Sequence, residues 1–371
     1  MKRILPCLLA VLLLTGMAPR ASAGAPDVSA RSAILIDAET GEALFEKAAD
    51  QRLPMASTTK IMTALAAIKS MPLDTVVTVP ASAVGVEGSS VYLEAGEKLT
   101  LEDLLYALLL ASANDAATAI ALTVSGSVED FAALMNEKAA ALGLSGTHFT
   151  NPHGLDDEEH YTTARDLARL AAAALENDDF RRIVGTVKHT IPAADGGVRV
   201  LVNHNKMLRL YDGAIGVKTG FTKRCGRCLV SAAERGGLRL VAVTLSAPDD
   251  WHDHTAMLDY GFSLLERVTL AKPGDFAALL PLAGGEADTV RVSADSALAV
   301  TLSKTHGTIE TRVELPHLAF APVEAGETLG RVVFTTDGQE IGTVLLTAEE
   351  AVAARPVKRS LWQRIFSPGT P

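Results

Sequence analysis

The sequence predicts an α+β fold: an antiparallel sheet flanked by helices, then a small all-β domain and a C-terminal amphipathic helix. Strands come first, a helical block fills the middle, and further strands with a final helix follow, which indicates an antiparallel sheet with helices on both sides. From about residue 268 to residue 347 the segments are short, alternating and separated by Gly, Pro and Asp, as in a small β domain. Near the C-terminus, apolar residues recur every four positions.

Residues 1–23 have the features of an export signal. Lys2 and Arg3 form a positive start, residues 4–17 are mostly apolar, and Ala21-Ser22-Ala23 is a cleavage site, so we expect the mature chain to begin at Gly24. An uncleaved anchor is the alternative. The formal net charge of −10 argues against a general nucleic-acid binder.

In the mature part, the hydrophobic pattern predicts each element in turn. Residues 33–36 and 42–45 flank a Gly-containing turn and predict a hairpin, and residues 104–111 are nearly all apolar, which predicts a buried core helix. Further helices are expected at 116–124, 128–142, 167–175 and 257–265, and further strands at 198–202, 214–218, 228–233 and 238–245. Gly236-Gly237 predicts a hairpin between the last two strands.

Ser57 and Lys60 are the first candidate catalytic pair. They stand three residues apart at the start of a predicted helix, where both side chains lie on one face. A serine hydroxyl needs a neighbour to take its proton, and a lysine with a lowered pKa can do so. The alternative is that Ser57 is a helix N-cap and Lys60 a solvated side chain.

Two downstream motifs bear on this pair. Ser112-Ala113-Asn114 stands where the buried helix ends, and its hydroxyl and carboxamide could relay a proton and hold a substrate amide, or only cap the next helix. Lys218-Thr219-Gly220 follows a predicted strand, on which Lys218 and Gly220 share one face and Thr219 the other. Lys218 could polarise the site and meet a carboxylate while the strand edge pairs with an extended peptide; a solvated lysine before a turn is the alternative.

Together, S-x-x-K, S-x-N and K-T-G resemble the penicillin-binding proteins and serine β-lactamases. Within them the chain is similar to the low-molecular-mass D-alanyl-D-alanine carboxypeptidases over nearly its whole mature length. The further stretches that match that family are residues 151–155, 161–167, 203–205 and 218–222. The resemblance implies a β-lactamase-like catalytic domain at 24–266, a small β domain at 267–350 and a basic tail at 351–371.

The resemblance also implies the chemistry. Ser57 would attack the bond between the last two D-alanines of a peptidoglycan stem pentapeptide, limiting cross-linking, and Lys60 would take the proton. Ser112 and Lys218 would protonate the departing D-alanine, and Asn114 would orient Lys60 and the substrate amide. The backbone N–H groups of Ser57 and Phe221 would form the oxyanion hole, Thr219 would bind the terminal carboxylate, and Gly220 lies in the same binding strand. β-Lactams would acylate Ser57, and neither a cofactor nor a metal is implied.

The sequence departs from some relatives at one place. Phe221 stands where they carry a histidine after K-T-G, and residues 247–252 supply no arginine in the loop where they carry one. How the substrate carboxylate is bound is therefore left open. His252 and His254, beside Asp249, Asp250 and Asp253, are expected to be exposed loop residues rather than a metal site, and His153 a loop residue rather than a base.

Two other segments leave alternatives. Cys225-Gly226-Arg227-Cys228 could be a disulfide, a redox pair or half a metal site, and we favour two thiols packed at a strand start. The pattern of residues 356–366 predicts a basic amphipathic helix that anchors the chain on the membrane surface. Such an anchor would place an exported protein on the outer face of the cytoplasmic membrane. A helix packed on its own protein, or a frayed terminus, is the alternative.

Rival functions use the same residues. A serine β-lactamase would need a glutamate-held water, and no E-x-x-L-N segment is present. A DD-endopeptidase would differ only in its leaving group, and a catalytically silent wall-binding protein would not need the intact motif set.

Overall fold

A computed structural model describes residues 24–356 of the chain. The predicted export signal at 1–23 and most of the predicted membrane tail lie outside the described residues. The helices are α1 (Lys60–Ser70), α2 (Leu101–Leu110), α3 (Asn114–Ser125), α4 (Val128–Ala141), α5 (Ala164–Leu175), α6 (Asp178–Val184), α7 (Met207–Leu210) and α8 (Asp250–Leu264).

The strands fall into two groups. The first comprises β1 (Ser32–Asp37), β2 (Ala43–Lys47), β3 (Val76–Thr78), β4 (Lys98–Thr100), β5 (Lys188–Pro192), β6 (Val198–Val202), β7 (Ala214–Thr222), β8 (Gly226–Arg235) and β9 (Leu238–Leu245). The second comprises β10 (Leu265–Ala271), β11 (Ala278–Ala283), β12 (Thr289–Ala294), β13 (Leu298–Ser303), β14 (Ile309–Glu314), β15 (Ala319–Phe320), β16 (Thr328–Thr336) and β17 (Gln339–Ala348).

The central element is a five-stranded antiparallel sheet in the order β2-β1-β9-β8-β7. Helix α8 packs on one face, where Met257 and Leu258 join a cluster of buried apolar residues from the sheet. Helix α5 contacts β1 and β9 on the other face, next to the larger core that holds α1, α2 and α3. The sheet therefore has helices on both sides, which confirms the predicted fold class, and it leaves β7 as an exposed edge.

The second group of strands forms the C-terminal β region. A six-stranded sheet has the order β14-β16-β17-β12-β11-β15, and β10 pairs with β13. Its own apolar core includes Val292, Val332, Phe334 and Leu346. The predicted all-β character of this part is confirmed, whereas the domain boundaries at 266 and 350 stay a prediction.

The predicted helices and strands are present, with shifted ends. Helix α2 is capped by Thr100 and Asp103 in a capping box, and Thr163 accepts from the Asp166 N–H at the start of α5. The predicted strand at 198–202 is present, but it pairs with β5 in a separate hairpin and does not join the central sheet. Helices α6 and α7 and strands β3, β4 and β5 are not predicted from the sequence.

The segment after β9 corrects one prediction. Residues 250–264 form α8, and within it Asp250, Asp253 and His254 are buried rather than exposed in a loop. His254 lies under the sheet, with its Nε2 2.9 Å from Thr244 Oγ1 and its Nδ1 in contact with Ser231 Oγ. Burial lowers the pKa of His254 to about 3, so it is a neutral core residue.

No single helix within residues 24–356 is both long and apolar enough to cross a membrane. Helices α3 and α4 pass that test only as a pair, with a bend of 84° between them.

Candidate active site

Ser57 lies in a turn of 3₁₀-helix, Ala56–Thr59, which leads directly into α1. Neither of these helical segments has a side-chain N-cap hydrogen bond, so Ser57 is not a cap. Lys60, the first residue of α1, is wholly buried and its Nζ lies 2.9 Å from Ser57 Oγ. The alternative of a capping serine and a solvated lysine is therefore wrong.

The ammonium of Lys60 meets three oxygen atoms. Its Nζ lies 2.9 Å from Ser57 Oγ, 2.7 Å from Asn114 Oδ1 and 2.6 Å from the His153 carbonyl oxygen. Burial, and next the cation of Lys218, lower the pKa of Lys60 well below 10.5. A neutral amine can donate to Asn114 and His153 and keep its lone pair for Ser57. The arrangement can thus take the serine proton.

The S-x-N motif forms a second side of the site. Ser112 stands between α2 and α3 with a φ of +61°, an unfavourable conformation for serine that holds its side chain at the cleft. Asn114 starts α3, accepts from Lys60, and donates from Nδ2 to the Glu87 carbonyl oxygen. A Cβ on Gly88 would lie only 2.7 Å from that Nδ2, so the segment before the motif passes directly over the carboxamide.

Strand β7, the free edge of the sheet, forms the third side. A Cβ on Gly220 would lie 3.1 Å from both the Ser57 nitrogen and the Met55 carbonyl oxygen, so this glycine lets the strand lie against the 3₁₀-helical turn. Arg227 is the partner of Phe221 in β8, and its carbonyl oxygen accepts a hydrogen bond from the Ala247 N–H of the segment that follows β9. The Phe221–Arg227 pair is therefore a non-hydrogen-bonded one, and the Phe221 N–H points outward from the sheet edge.

Lys218 is the second buried lysine of the site. Its side chain is almost wholly buried, and among the described residues its Nζ donates only to the Thr219 carbonyl oxygen, at 2.8 Å. Burial lowers its pKa to about 7. The alternative of a solvated lysine at a strand end is wrong, and Thr219 faces the opposite side, as the strand pattern predicted.

These three sides enclose an open cleft of about 490 Å³. Among the residues that line it are Ser57, Ser112, Thr219, Gly220, Phe221 and Arg227. The predicted site residues Lys60 and Asn114 lie directly behind them, through the hydrogen bonds above. The structure thus brings together all the residues that the sequence motifs singled out.

Sequence reasoning missed the contribution of the loop at 151–155. Its His153 supplies a backbone carbonyl to Lys60, and a Cβ on Gly154 would lie 1.9 Å from the Ala56 carbonyl oxygen. The side chain of His153 is not a base, since burial and then the charge of Lys60 lower its pKa to about 3. The Asn-Pro-His-Gly pattern signalled a loop, but a backbone acceptor has no residue signature.

Cys225 and Cys228 are free and buried beside the site. Cys228 pairs with Gly220 across the hairpin, and Cys225 Sγ lies 3.5 Å from Asp156 Oδ1. This matches the favoured interpretation of two packed thiols at a strand start. Within residues 24–356, no three His, Cys, Asp or Glu side chains are grouped so that they could hold a metal ion.

Comparison with known proteins identifies similar chains over this whole region. A family described as D-alanyl-D-alanine carboxypeptidase (Peptidase S11) matches residues 19–249, and the penicillin-binding protein 5 C-terminal domain matches residues 265–354. The chain is 32% identical over 372 residues to the D-alanyl-D-alanine carboxypeptidase DacF of Bacillus subtilis (strain 168), covering 96% of this chain and 94% of the relative.

Two solved structures of related proteins are similar to this chain in fold and in sequence. Penicillin binding protein 5 from Haemophilus influenzae is 27% identical, with a TM-score of 0.66, and the match covers 89% of this chain and 99% of that one. The Streptomyces K15 DD-transpeptidase is 35% identical, with a TM-score of 0.62, covering 65% of this chain and 100% of that one.

Proposed function

Because the chain belongs to the D-alanyl-D-alanine carboxypeptidase family, whose members are serine hydrolases, we propose that it removes the terminal D-alanine from peptidoglycan stem pentapeptides through an acyl-enzyme on Ser57. One observation carries the assignment of the nucleophile. The wholly buried amine of Lys60 lies 2.9 Å from Ser57 Oγ and is held there by two further oxygen atoms.

Acylation begins when Ser57 Oγ attacks the carbonyl carbon between the two D-alanines. The hydroxyl proton passes to the neutral amine of Lys60, whose lowered pKa makes it available as a base. The carbonyl oxygen becomes an oxyanion between the N–H groups of Ser57 and Phe221. The closeness of Gly220 to the Ser57 nitrogen and the outward direction of the Phe221 N–H support this pairing.

The C–N bond then breaks, and the leaving nitrogen needs a proton. Ser112 lines the cleft beside Ser57, and Lys218 lies on the facing strand, so we assign proton delivery to these two residues. Ser112, polarised by Lys218, gives its proton to the leaving nitrogen and is reprotonated by Lys60, which thereby returns to the neutral amine. Asn114 orients Lys60 through its Oδ1. Water then hydrolyses the ester, with Lys60 taking a proton from the water and Ser57 recovering its hydroxyl, and the tetrapeptide leaves.

The site also supports penicillin binding. A β-lactam presents a strained amide that Ser57 can open by the same attack, so the antibiotic would remain as an ester on Ser57. The family match favours a carboxypeptidase over the β-lactamase alternative. An endopeptidase would use the same residues and differ only in its leaving group.

We place the protein outside the cytoplasmic membrane, where its substrate is found. The features that support this are the export signal at 1–23 and the basic amphipathic tail at 351–371, and the catalytic part at 24–266 would then lie close to the membrane surface. The carboxypeptidase family match ends at residue 249, and the match to the C-terminal domain begins at residue 265. Both positions support a boundary to the small β domain at about 267.

The test combines two measurements on the purified protein. Intact mass after penicillin treatment should show one adduct on the wild type and none on Ser57→Ala, and the wild type should release D-alanine from a stem pentapeptide. Ser89→Ala is a matched control, because Ser89 is an exposed serine of the same cleft. Penicillin should acylate this variant as it acylates the wild type. An equal adduct on Ser57→Ala would refute the assignment of the nucleophile. Fast β-lactam hydrolysis without release of D-alanine would identify a β-lactamase.

A further inference from the structure

Arg227 is a cation in the cleft to which the motifs assign no role. It pairs with Phe221 across β7 and β8 in a non-hydrogen-bonded pair, in which the two Cα atoms are about 4.5 Å apart and the side chains share one face of the sheet. Thr219 stands two residues before Phe221 on that same face, so it is the diagonal neighbour of Arg227. Arg227 and Thr219 both line the cleft that contains Ser57.

The guanidinium of Arg227 is held in place from two directions. Its Nε and Nη2 donate to Asp250 Oδ1 at 3.0 and 2.8 Å, and its Cζ lies 5.5 Å from the centre of the Trp251 ring. The side chain of Asp250 is only 3% exposed, whereas that of Arg227 is 42% exposed. The acid therefore holds one edge of the guanidinium from inside the protein while the rest faces solvent.

Two hydrogen-bond donors remain on this face of the cleft. Within residues 24–356, no acceptor is found for Nη1 of Arg227, nor any partner for the Thr219 hydroxyl. A planar guanidinium beside a hydroxyl suits a carboxylate, whose two oxygen atoms can each accept a hydrogen bond.

We propose that Arg227, through Nη1, binds the C-terminal carboxylate of the substrate together with the Thr219 hydroxyl. The inference rests on the proposed function, because a peptide ending in D-alanine carries a carboxylate next to the bond that Ser57 attacks. Asp250 accepts hydrogen bonds from the opposite edge of the guanidinium and fixes its plane. Arg227 thereby selects peptides in which the residue after the attacked bond is the last one and carries a free carboxylate.

Other cations of the cleft are placed less well for this role. Lys218 is buried and donates to the Thr219 backbone carbonyl oxygen. Lys206 and Arg209 also line the cleft, but they stand at α7. Neither pairs with Phe221 of β7 as Arg227 does. Arg209→Gln therefore serves as a control that removes a different positive charge from the same cleft.

The test compares two substrates that differ only in the carboxylate. Release of D-alanine from a stem pentapeptide, and of D-alaninamide from the same peptide amidated at its C-terminus, is measured for the full-length wild type, Arg227→Gln, Arg227→Lys and Arg209→Gln. Loss of a hydrogen bond to a charged group predicts that Arg227→Gln lowers kcat/KM for the free acid about 10- to 100-fold, mainly through KM. Turnover of the amide should change less than about threefold, and Arg227→Lys should recover part of the loss.

The outcomes are distinct. Equal loss on both substrates in Arg227→Gln and Arg227→Lys would show a purely structural role and overturn the proposal. So would a selective loss of free-acid turnover in Arg209→Gln but not in Arg227→Gln. A wild type that does not prefer the free acid would also overturn it. A wild type that releases nothing from either peptide and takes up no penicillin would refute the proposed function instead.

Discussion

Replacing Lys218 by methionine should stabilise the fold while it removes activity. The side chain of Lys218 is buried, and burial lowers its pKa from 10.5 to about 7. At about 1.4 kcal/mol per pKa unit, holding the charged amine in the protein costs about 5 kcal/mol relative to the unfolded chain, and about 4 kcal/mol at pH 7, where about half of the folded molecules have lost this proton. Methionine has a similar volume and carries no charge. It loses the hydrogen bond to the Thr219 carbonyl oxygen, worth about 1 kcal/mol, so the net gain at pH 7 should be about 3 kcal/mol.

The pH dependence makes this prediction specific. Because the folded-state pKa of Lys218 is below the unfolded one, the unfolded chain binds more protons between about pH 7 and 10.5, and the wild type gains stability as the pH rises through that range. The advantage of Lys218→Met should therefore shrink to about 1 kcal/mol at pH 9. Well below pH 7 both states carry the charge, and the advantage should reach its full value of about 4 kcal/mol.

Urea denaturation at pH 7 and pH 9 measures the difference. Fluorescence of Trp251, in a Trp362→Phe background common to both proteins, reports the catalytic part of the chain. The acylation rate by penicillin should fall about 100-fold or more in Lys218→Met. A variant no more stable than the wild type, or a gain that is the same at both pH values, would refute the conclusion that burial of this charge costs stability.

Three further predictions follow from the site. Because burial and the Lys218 cation lower the pKa of Lys60, penicillin acylation of the wild type should reach its full rate well below pH 10.5; stopped-flow rates that still climb near that pH would indicate an ordinary lysine. Gly154→Ala should destabilise the protein by about 1–3 kcal/mol and slow acylation at least about tenfold, because its Cβ would lie 1.9 Å from the Ala56 carbonyl oxygen. Gly126→Ala, with a similar positive φ but open space around the Cβ, should cost only the backbone strain and leave acylation unchanged, as denaturation and acylation assays would show. Finally, Cys225 and Cys228 should be alkylated by iodoacetamide only after unfolding, since both are buried. The hydrogen bond between the two thiols raises the pKa of Cys228 and lowers that of Cys225, so the protection of Cys225 rests on burial alone. Rapid addition of mass to the native protein would contradict this prediction.

The fold and the contact between Ser57 and Lys60 were predictable because both leave periodic traces in the sequence. The three-residue spacing of Ser57 and Lys60 already implied contact on one helical face, and the alternation along residues 214–220 already placed Lys218 and Gly220 on one side of a strand. The structure agrees on both, with Lys60 Nζ 2.9 Å from Ser57 Oγ. Such relations depend only on local geometry.

What could not be predicted depends on distant contacts. The approach of the His153 carbonyl to Lys60 requires that a loop 93 residues away packs against the turn before α1. The position of Arg227 requires the register of the β7–β8 hairpin, and its side chain is fixed by Asp250, which sequence reasoning had expected in an exposed loop. Tertiary packing decides each of these cases.

The activity of the site depends on the same packing. The lowered pKa of Lys60 depends on three segments, distant from one another in sequence, that bury its amine: the turn at Ser57, the loop at 151–155 and the neighbourhood of Lys218 on β7. If any one of them moves away, water returns and the pKa of Lys60 rises toward that of an ordinary lysine, and in the proposed mechanism Ser57 would then lose its base. In the proposed mechanism, the same buried environment lowers the stability of the fold through the two lysines and makes Ser57 reactive. Variants that gain stability by removing one of these buried charges should therefore lose activity.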